Sequence, residues 1–541
     1  MKRYRRLIFI LACSLVIAAA GASQYNPRPE AKAEYESGLV LQKAGNTAAA
    51  LEAFGRAVKL DPDYIEACSE LANAAKAAQR SQQGVRSQVK LAPDTTLSDF
   101  RALYAARAAA SPDKAVYQWA LGQFDDSQTQ EAAERYYRKA VDLDAGFVTA
   151  CQSLASTLAY RGDLTGAREC LRKACELRPH DPEALAAYAQ RVGESDFALY
   201  CKLTDDFLTQ FPRHAAGFEL LSRMSVYEGN LTARIAILER LKNLYPPDEN
   251  SNSEWYMRFL FDAYNRTDPA KALSLAQEMS VIVRAPAIQR EWRYFAYYEQ
   301  TLVTARALMD RHLYAQAAEQ LNGANVPYLV SSDPQSLLQA EALAKAGNSK
   351  RAYRLLVDAM AAEPSDVLRP VLLSYGEKLK KTPSQVEQDV WSRMVYGSSS
   401  LKGFTLTSYR DGKKVRLSDY RGRVVLLDFW DPESAACREE FPRLQKMLDK
   451  YGTQGLTLIT INVHPAQDAI AAVLMGRYGF VALRAPDNQW ALNQHHIDTT
   501  PTNILIDRRG RALYHSAFWG FDPQHTFELT VQILLAHGAK D

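Results

Sequence analysis

The chain has 541 residues, 47% apolar and 23% charged, which is enough for about two to four domains with ordinary cores and excludes a disordered polymer. Its formal charge is +3, and removing residues 1–22 takes Lys2, Arg3, Arg5 and Arg6 and no acid, so +3 becomes −1. Nothing in that balance argues for nucleic acid as a partner.

The first predicted element is a secretory signal peptide over residues 1–22. Four cations precede an apolar run from Leu7 to about Ala20, and Ala20-Gly21-Ala22 supplies the small residues of a cleavage site before Ser23. The run is shorter than the ~20 residues of a spanning helix, so an uncleaved anchor is the alternative and would be the chain's only membrane contact. Cys13 reads as part of the apolar stretch. Export to a bacterial periplasm or cell envelope is therefore expected. The six cysteines beyond the signal, Cys68, Cys151, Cys170, Cys175, Cys201 and Cys437, have spacings that match no zinc or disulfide framework.

Residues 23–385 read as a helical repeat array. In VTACQSLASTLAYRGDLTGARECLRKACELRPHD, Gly162 ends one helix, Ala167, Leu171 and Ala174 line the next, and Pro179 closes it. The frame returns at Gly45, Ala50, Phe54, Ala57 and Pro62, and at Gly347, Ala352, Leu356, Ala359 and Pro364. Tyr117, Ala133, Tyr137 and Ala140 stand 34 residues before Cys151, Ala167, Leu171 and Ala174. A looser copy centres on Phe218, Leu221, Gly229 and Pro246, and about residues 250–330 keep the helical period but lose the frame. Small residues at fixed offsets let paired helices approach, and each pair must stack on its neighbours to bury its apolar face. The pattern resembles tetratricopeptide (TPR) repeats. That resemblance implies a groove for an extracytoplasmic polypeptide or partner protein; a spacer or oligomerisation scaffold is the other reading. Cys68 and Cys151 occupy equivalent positions, which favours small buried apolar residues over redox sites.

Residues 386–400 are expected to be a linker ending in Gly397 and three serines, and residues 401–541 a separate domain. Asp411-Gly412 signals a hairpin, RVVLLDFW a buried strand, REEFPRLQKMLDKYG a helix closed by Gly452, and LTLITINV a second apolar strand. NILID and RALYHSAF are two further strands joined by RRG, and FELTVQILLAH is a terminal helix. With GKKVRLSDYRGRVVLLDFW, CREEFPRL and TPTNILIDRRG in order, this domain resembles the thioredoxin fold, specifically the exported TlpA-like branch of the redoxin (AhpC/TSA) superfamily. The fold class is thus an all-α TPR array followed by a thioredoxin-like α/β domain.

The resemblance implies a thiol-disulfide oxidoreductase site at Ser434, Cys437, Asp428 and Pro501, with Trp430, Glu433 and Thr500 along the substrate groove. It implies a cis peptide before Pro501 and a proton-relaying role for Asp428; an acid at a strand end reaching water is the plainer alternative for Asp428. Two-thiol exchange needs an attacking cysteine at the helix N-terminus and a second one to resolve the mixed disulfide. Ser434 holds the attacking place, and its hydroxyl cannot enter disulfide exchange. Asp431-Pro432-Glu433 reads as a helix start, which would leave Cys437 more than a turn inside the helix with little help from the dipole. Cys437 is accordingly expected to be a quiet thiol with at most single-thiol activity. S-A-A-C also resembles the peroxidase motif of the same superfamily, in which Cys437 would reduce peroxide. A wholly non-catalytic scaffold is the third reading. No cofactor is expected, since no Gly-rich phosphate loop is present, and no metal, since His495-His496 are adjacent and read as surface or cap residues.

Overall fold

The structure, a computed structural model, describes residues 25–84, 97–125, 130–161, 163–193, 196–432, 434–465, 468–515 and 523–537. The expected signal peptide, Gly162 and Glu433 lie outside the described residues. Contacts divide the chain into two compact units, residues 1–220 and 221–541, so the sheet domain shares its unit with every helix from residue 228 on. Among the described residues no helix is long and apolar enough to cross a membrane.

Twenty α-helices lie between Pro29 and Met394 among the described residues, most of them packed against the next in the chain. Local chemistry sets their ends. Asn46 Oδ1 accepts the Ala49 N–H at 3.3 Å and Asp163 Oδ1 accepts the Gly166 N–H at 2.7 Å, each satisfying a donor that the first turn leaves open. Helices stop at Leu60, Leu177, Leu244 and Ala362, two residues before Pro62, Pro179, Pro246 and Pro364, because proline cannot continue the ladder. Gly45 sits at φ +76° between Pro29–Lys43 and Thr47–Leu60, a backbone that side chains disfavour. The close approach of that pair is fixed at Gly38, where a Cβ would stand 2.5 Å from Phe54 Cδ1.

In the first unit Leu51, Phe54, Phe100, Tyr104, Trp119, Leu154 and Leu171 belong to one continuous core. The loss of repeat frame over about residues 250–330 has a physical counterpart in the second. Pro286–Asp310 runs for 25 residues, where the repeat helices Thr47–Leu60 and Leu164–Leu177 have 14.

The expected linker is a correction. Residues 383–394 form the helix Pro383–Met394, capped by Thr382, and Val386, Val390 and Trp391 are buried. Val386 and Val390 join the core of the preceding helices, while Trp391 and Val395 join that of the sheet domain, so the segment is packed on both sides. Its 386, 390 spacing carried the helical signal that the flanking Gly397 and serines obscured.

The C-terminal domain is a seven-stranded sheet of β1 (Thr405–Ser408), β2 (Lys414–Arg416), β3 (Val424–Trp430), β4 (Leu456–Asn462), β5 (Val481–Arg484), β6 (Thr502–Ile506) and β7 (Ala512–His515), in the order β2-β1-β5-β4-β3-β6-β7. β3, β4 and β5 are parallel, and β6 runs antiparallel to β3. Every residue of β3 and β4 is buried, as continuous apolar runs require of central strands. The faces alternate: Val424, Leu426 and Trp430 meet the core that holds Cys437 and Phe441, and Val425, Leu427 and Phe429 meet the opposite one. β5 and the helices Asp468–Met475 and Trp490–His495 escaped the sequence reading because each is short.

Candidate functional site

The site forms where β3 ends and the helix Ala435–Tyr451 begins. Ser434 is the N-cap: its backbone is extended and its hydroxyl accepts the Cys437 N–H at 3.4 Å. The helix does not start at Asp431, which corrects the expected boundary. Asp431-Pro432 is a turn, held by the Arg438 Nη1 donating to the Pro432 carbonyl at 2.6 Å and by Asp431 Oδ2 paired with His464 Nδ1 at 2.6 Å. Cys437 is therefore in the first helical turn, where the open amides favour a thiolate.

Burial outweighs that help. The Cys437 side chain has no exposure, and its thiol is pushed well up, first by burial and then by Asp428, against smaller support from the Ser434 hydroxyl and the Asp431 backbone. Glu440, one turn further on, adds to the upward push. Desolvation, not distance from the helix end, is the largest influence against ionisation of this thiol.

Asp428 points to the same face. It is fully buried in β3 between Thr460 of β4 and Asn503 of β6, and neither of its oxygens has a hydrogen-bond partner. Its carboxyl is raised above the ordinary range by burial and then by Glu440, both of which favour the neutral form. The strand-end acid reaching water is ruled out by that burial. Glu440, which the sequence reading passed over, is buried and accepts from Asn503 Nδ2 at 2.6 Å.

Trp430 requires another correction. Expected along a groove, it is fully buried and packs edge-on against Phe441 at 5.0 Å between centroids. Thr500 is half-buried, Pro501 is buried, and the Thr500–Pro501 bond is cis. Because Thr502 pairs with Phe429, the register carries Pro501 to the end of β3 where Ser434 and Cys437 lie. Of the two adjacent histidines, His496 is a left-handed cap as expected, but His495 is buried among Phe404, Phe429 and Trp490 with neither ring nitrogen hydrogen-bonded. Among the described residues no three His, Cys, Asp or Glu side chains group as metal ligands. An apolar cavity of about 180 Å³ between the Pro383–Met394 and Pro523–Ala536 helices shares no lining residue with this site.

Parts of the chain are similar to known proteins. Residues 399–514 match the AhpC/TSA family, and residues 31–64 and 148–191 match tetratricopeptide repeats. The chain is 32% identical over 113 residues to the thiol-disulfide oxidoreductase ResA of Geobacillus kaustophilus, covering 21% of this chain and 64% of that protein. It is 30% identical over 105 residues to ResA of Bacillus subtilis, covering 19% and 58%. The match thus spans about three fifths of these relatives' length. A solved thiol:disulfide interchange protein from Bacteroides sp. is 26% identical, with 27% of this chain and 92% of that one covered and a TM-score of 0.23.

Proposed function

From a chain that carries TPR repeats and an AhpC/TSA-type thioredoxin-like domain, we propose an extracytoplasmic polypeptide-binding protein whose C-terminal domain has given up the two-thiol exchange cycle. The observation that carries the proposal is the pairing of Ser434 as helix cap with Cys437 as a buried, strongly protonated thiol. Exchange begins with a thiolate that reaches the substrate's sulfur. An alcohol at 434 offers none, and the sulfur at 437 is neither ionised nor exposed.

In this reading the end of β3, the Ser434 turn and the Thr500-Pro501 segment receive an extended polypeptide, and the repeats select which one. The relatives named as thiol-disulfide oxidoreductases support the fold and the place of the site. The departure at Ser434 separates this domain from their two-thiol chemistry. Export rests on the N-terminal charges and apolar run. The peroxidase reading needs an ionised Cys437, and the strongest influences on that thiol, burial and Asp428, oppose ionisation.

The test is reduction of insulin by the full chain with dithiothreitol as electron donor, alongside binding of fluorescent carboxymethylated insulin B chain. Binding without turnover above the dithiothreitol control is expected. Turnover above that control would overturn the proposal, as would failure to bind this or any other extended peptide of a random library.

A further inference from the structure

The terminal helix of the sheet domain, Pro523–Ala536, meets the helices Ser349–Ala362, Leu368–Lys378 and Pro383–Met394, and the apolar cavity of about 180 Å³ lies between them. Its wall is made by Met360, Leu372, Val386, Val390, Leu529 and Ile533, all but Ile533 buried. Val386 and Val390 stand four residues apart on one helix face, and Leu529 and Ile533 four apart on the facing one. Short β-branched valines leave the space between these faces open. A wall of methyls offers water too few polar partners to hold it well.

Three polar groups also line the cavity. Arg369 and Glu387 lie where it meets solvent, both half-buried and ion-paired through Nη2 and Oε1 at 2.5 Å. His537 follows the terminal helix, its ring tilted against Trp391 at 6.1 Å between centroids. Its Nε2 is buried and has no hydrogen-bond partner among the described residues. Burial favours the neutral imidazole, against a smaller opposing pull from Glu387. A buried nitrogen left without a partner is the kind of orphan that a ligand satisfies.

These features select a ligand. The volume is a little above the ~150 Å³ that encloses one benzene, so one six-membered ring with a small substituent fits. A purely apolar ring would leave His537 Nε2 unsatisfied. A carboxylate would face Glu387 and an ammonium Arg369, and each of these already holds the other's charge. A neutral hydroxyl both donates and accepts, so it suits the imidazole in either tautomer.

We propose that this cavity binds a small neutral phenol, its ring among Leu372, Val390 and Ile533 and its hydroxyl on His537 Nε2. The occupant is a free molecule and not a tyrosine of a polypeptide, because one ring and its substituent take up the space. Such a ligand touches the terminal helix of the sheet domain and the three helices facing it at once, so it stabilises their junction.

The test titrates the full chain with p-cresol by calorimetry, with toluene and p-toluate as controls. Saturable binding of p-cresol with a Kd of about 0.1–1 mM is expected, an affinity within reach of so few non-hydrogen atoms. Toluene should bind about tenfold more weakly, for want of the hydrogen bond, and p-toluate more weakly still. His537→Phe should reduce p-cresol to the toluene value, and Val390→Trp, which fills the cavity, should abolish both. In the unaltered chain, Overhauser effects should connect the p-cresol ring to the Val390 and Ile533 methyls. No saturation by about 10 mM p-cresol, equal affinities for p-cresol and toluene, or Overhauser effects that avoid those methyls would overturn the proposal. So would N-acetyltyrosinamide competing as well as p-cresol, since the cavity would then serve a polypeptide.

Discussion

The Ser434 hydroxyl accepts the backbone N–H of Cys437 at 3.4 Å. The residue that stands where exchange chemistry would need a sulfur is thus the cap of the helix that carries the remaining one. Ser434→Cys should therefore create disulfide-reductase activity in the insulin assay, and that activity should vanish when Cys437→Ser is added. Ser434→Ala should leave the activity absent and lower stability by about 1 kcal/mol, the usual cost of losing a serine cap, as read by urea unfolding.

Asp428 is kept in the sheet at a cost that depends on pH. Its carboxyl is raised in the fold by burial and then by Glu440, so its favourable contribution is complete below the unfolded value near 3.8 and is lost as pH rises toward the folded value. Asp428→Asn should match the natural chain in urea unfolding at pH 4 and exceed it by about 1–3 kcal/mol at pH 8.

His495 works in the opposite sense. Burial, followed by Lys402 and His496, lowers its imidazole to about 4, so the fold prefers the neutral ring. Stability from this group is complete above the unfolded value near 6.5 and is lost as pH falls toward 4. His495→Phe should flatten that acid limb, with a difference of at most about 3 kcal/mol at pH 4.

The repeat packing is tested at Gly38. Alanine there gains about 1 kcal/mol of helix propensity but places a Cβ 2.5 Å from Phe54 Cδ1, inside the ring's contact distance. Overpacking of that kind costs more than the propensity returns, so Gly38→Ala should lower stability by about 1–2 kcal/mol in thermal or urea unfolding.

Much of the architecture was legible because its signals are periodic. Alanines and prolines at fixed offsets gave the repeats, and the apolar runs at Val424–Trp430 and Leu456–Asn462 gave the two central strands. The helix start was misplaced because Asp431-Pro432 imitates a cap followed by a first-turn proline, a local pattern that Ser434 overrides three residues later. Trp430 was placed on the wrong side because a strand's facing follows from its register, which pairing with β4 and β6 fixes. Glu440 was hidden in a charged Arg438-Glu439-Glu440 run that reads as a solvated face. Its place three residues after Cys437 and four before Leu444, both buried, was the signal that could have found it.

The account rests on Cys437 being protonated and closed off in the folded chain. Its direct measurement is the rate of Cys437 alkylation by iodoacetamide against pH in the native protein, with the modified residue identified by mass spectrometry. The account predicts no ionisation midpoint up to pH 9.5 and alkylation only as fast as the chain unfolds. A midpoint below about 8.5, the value of a free thiol, with alkylation of the folded chain, would contradict it.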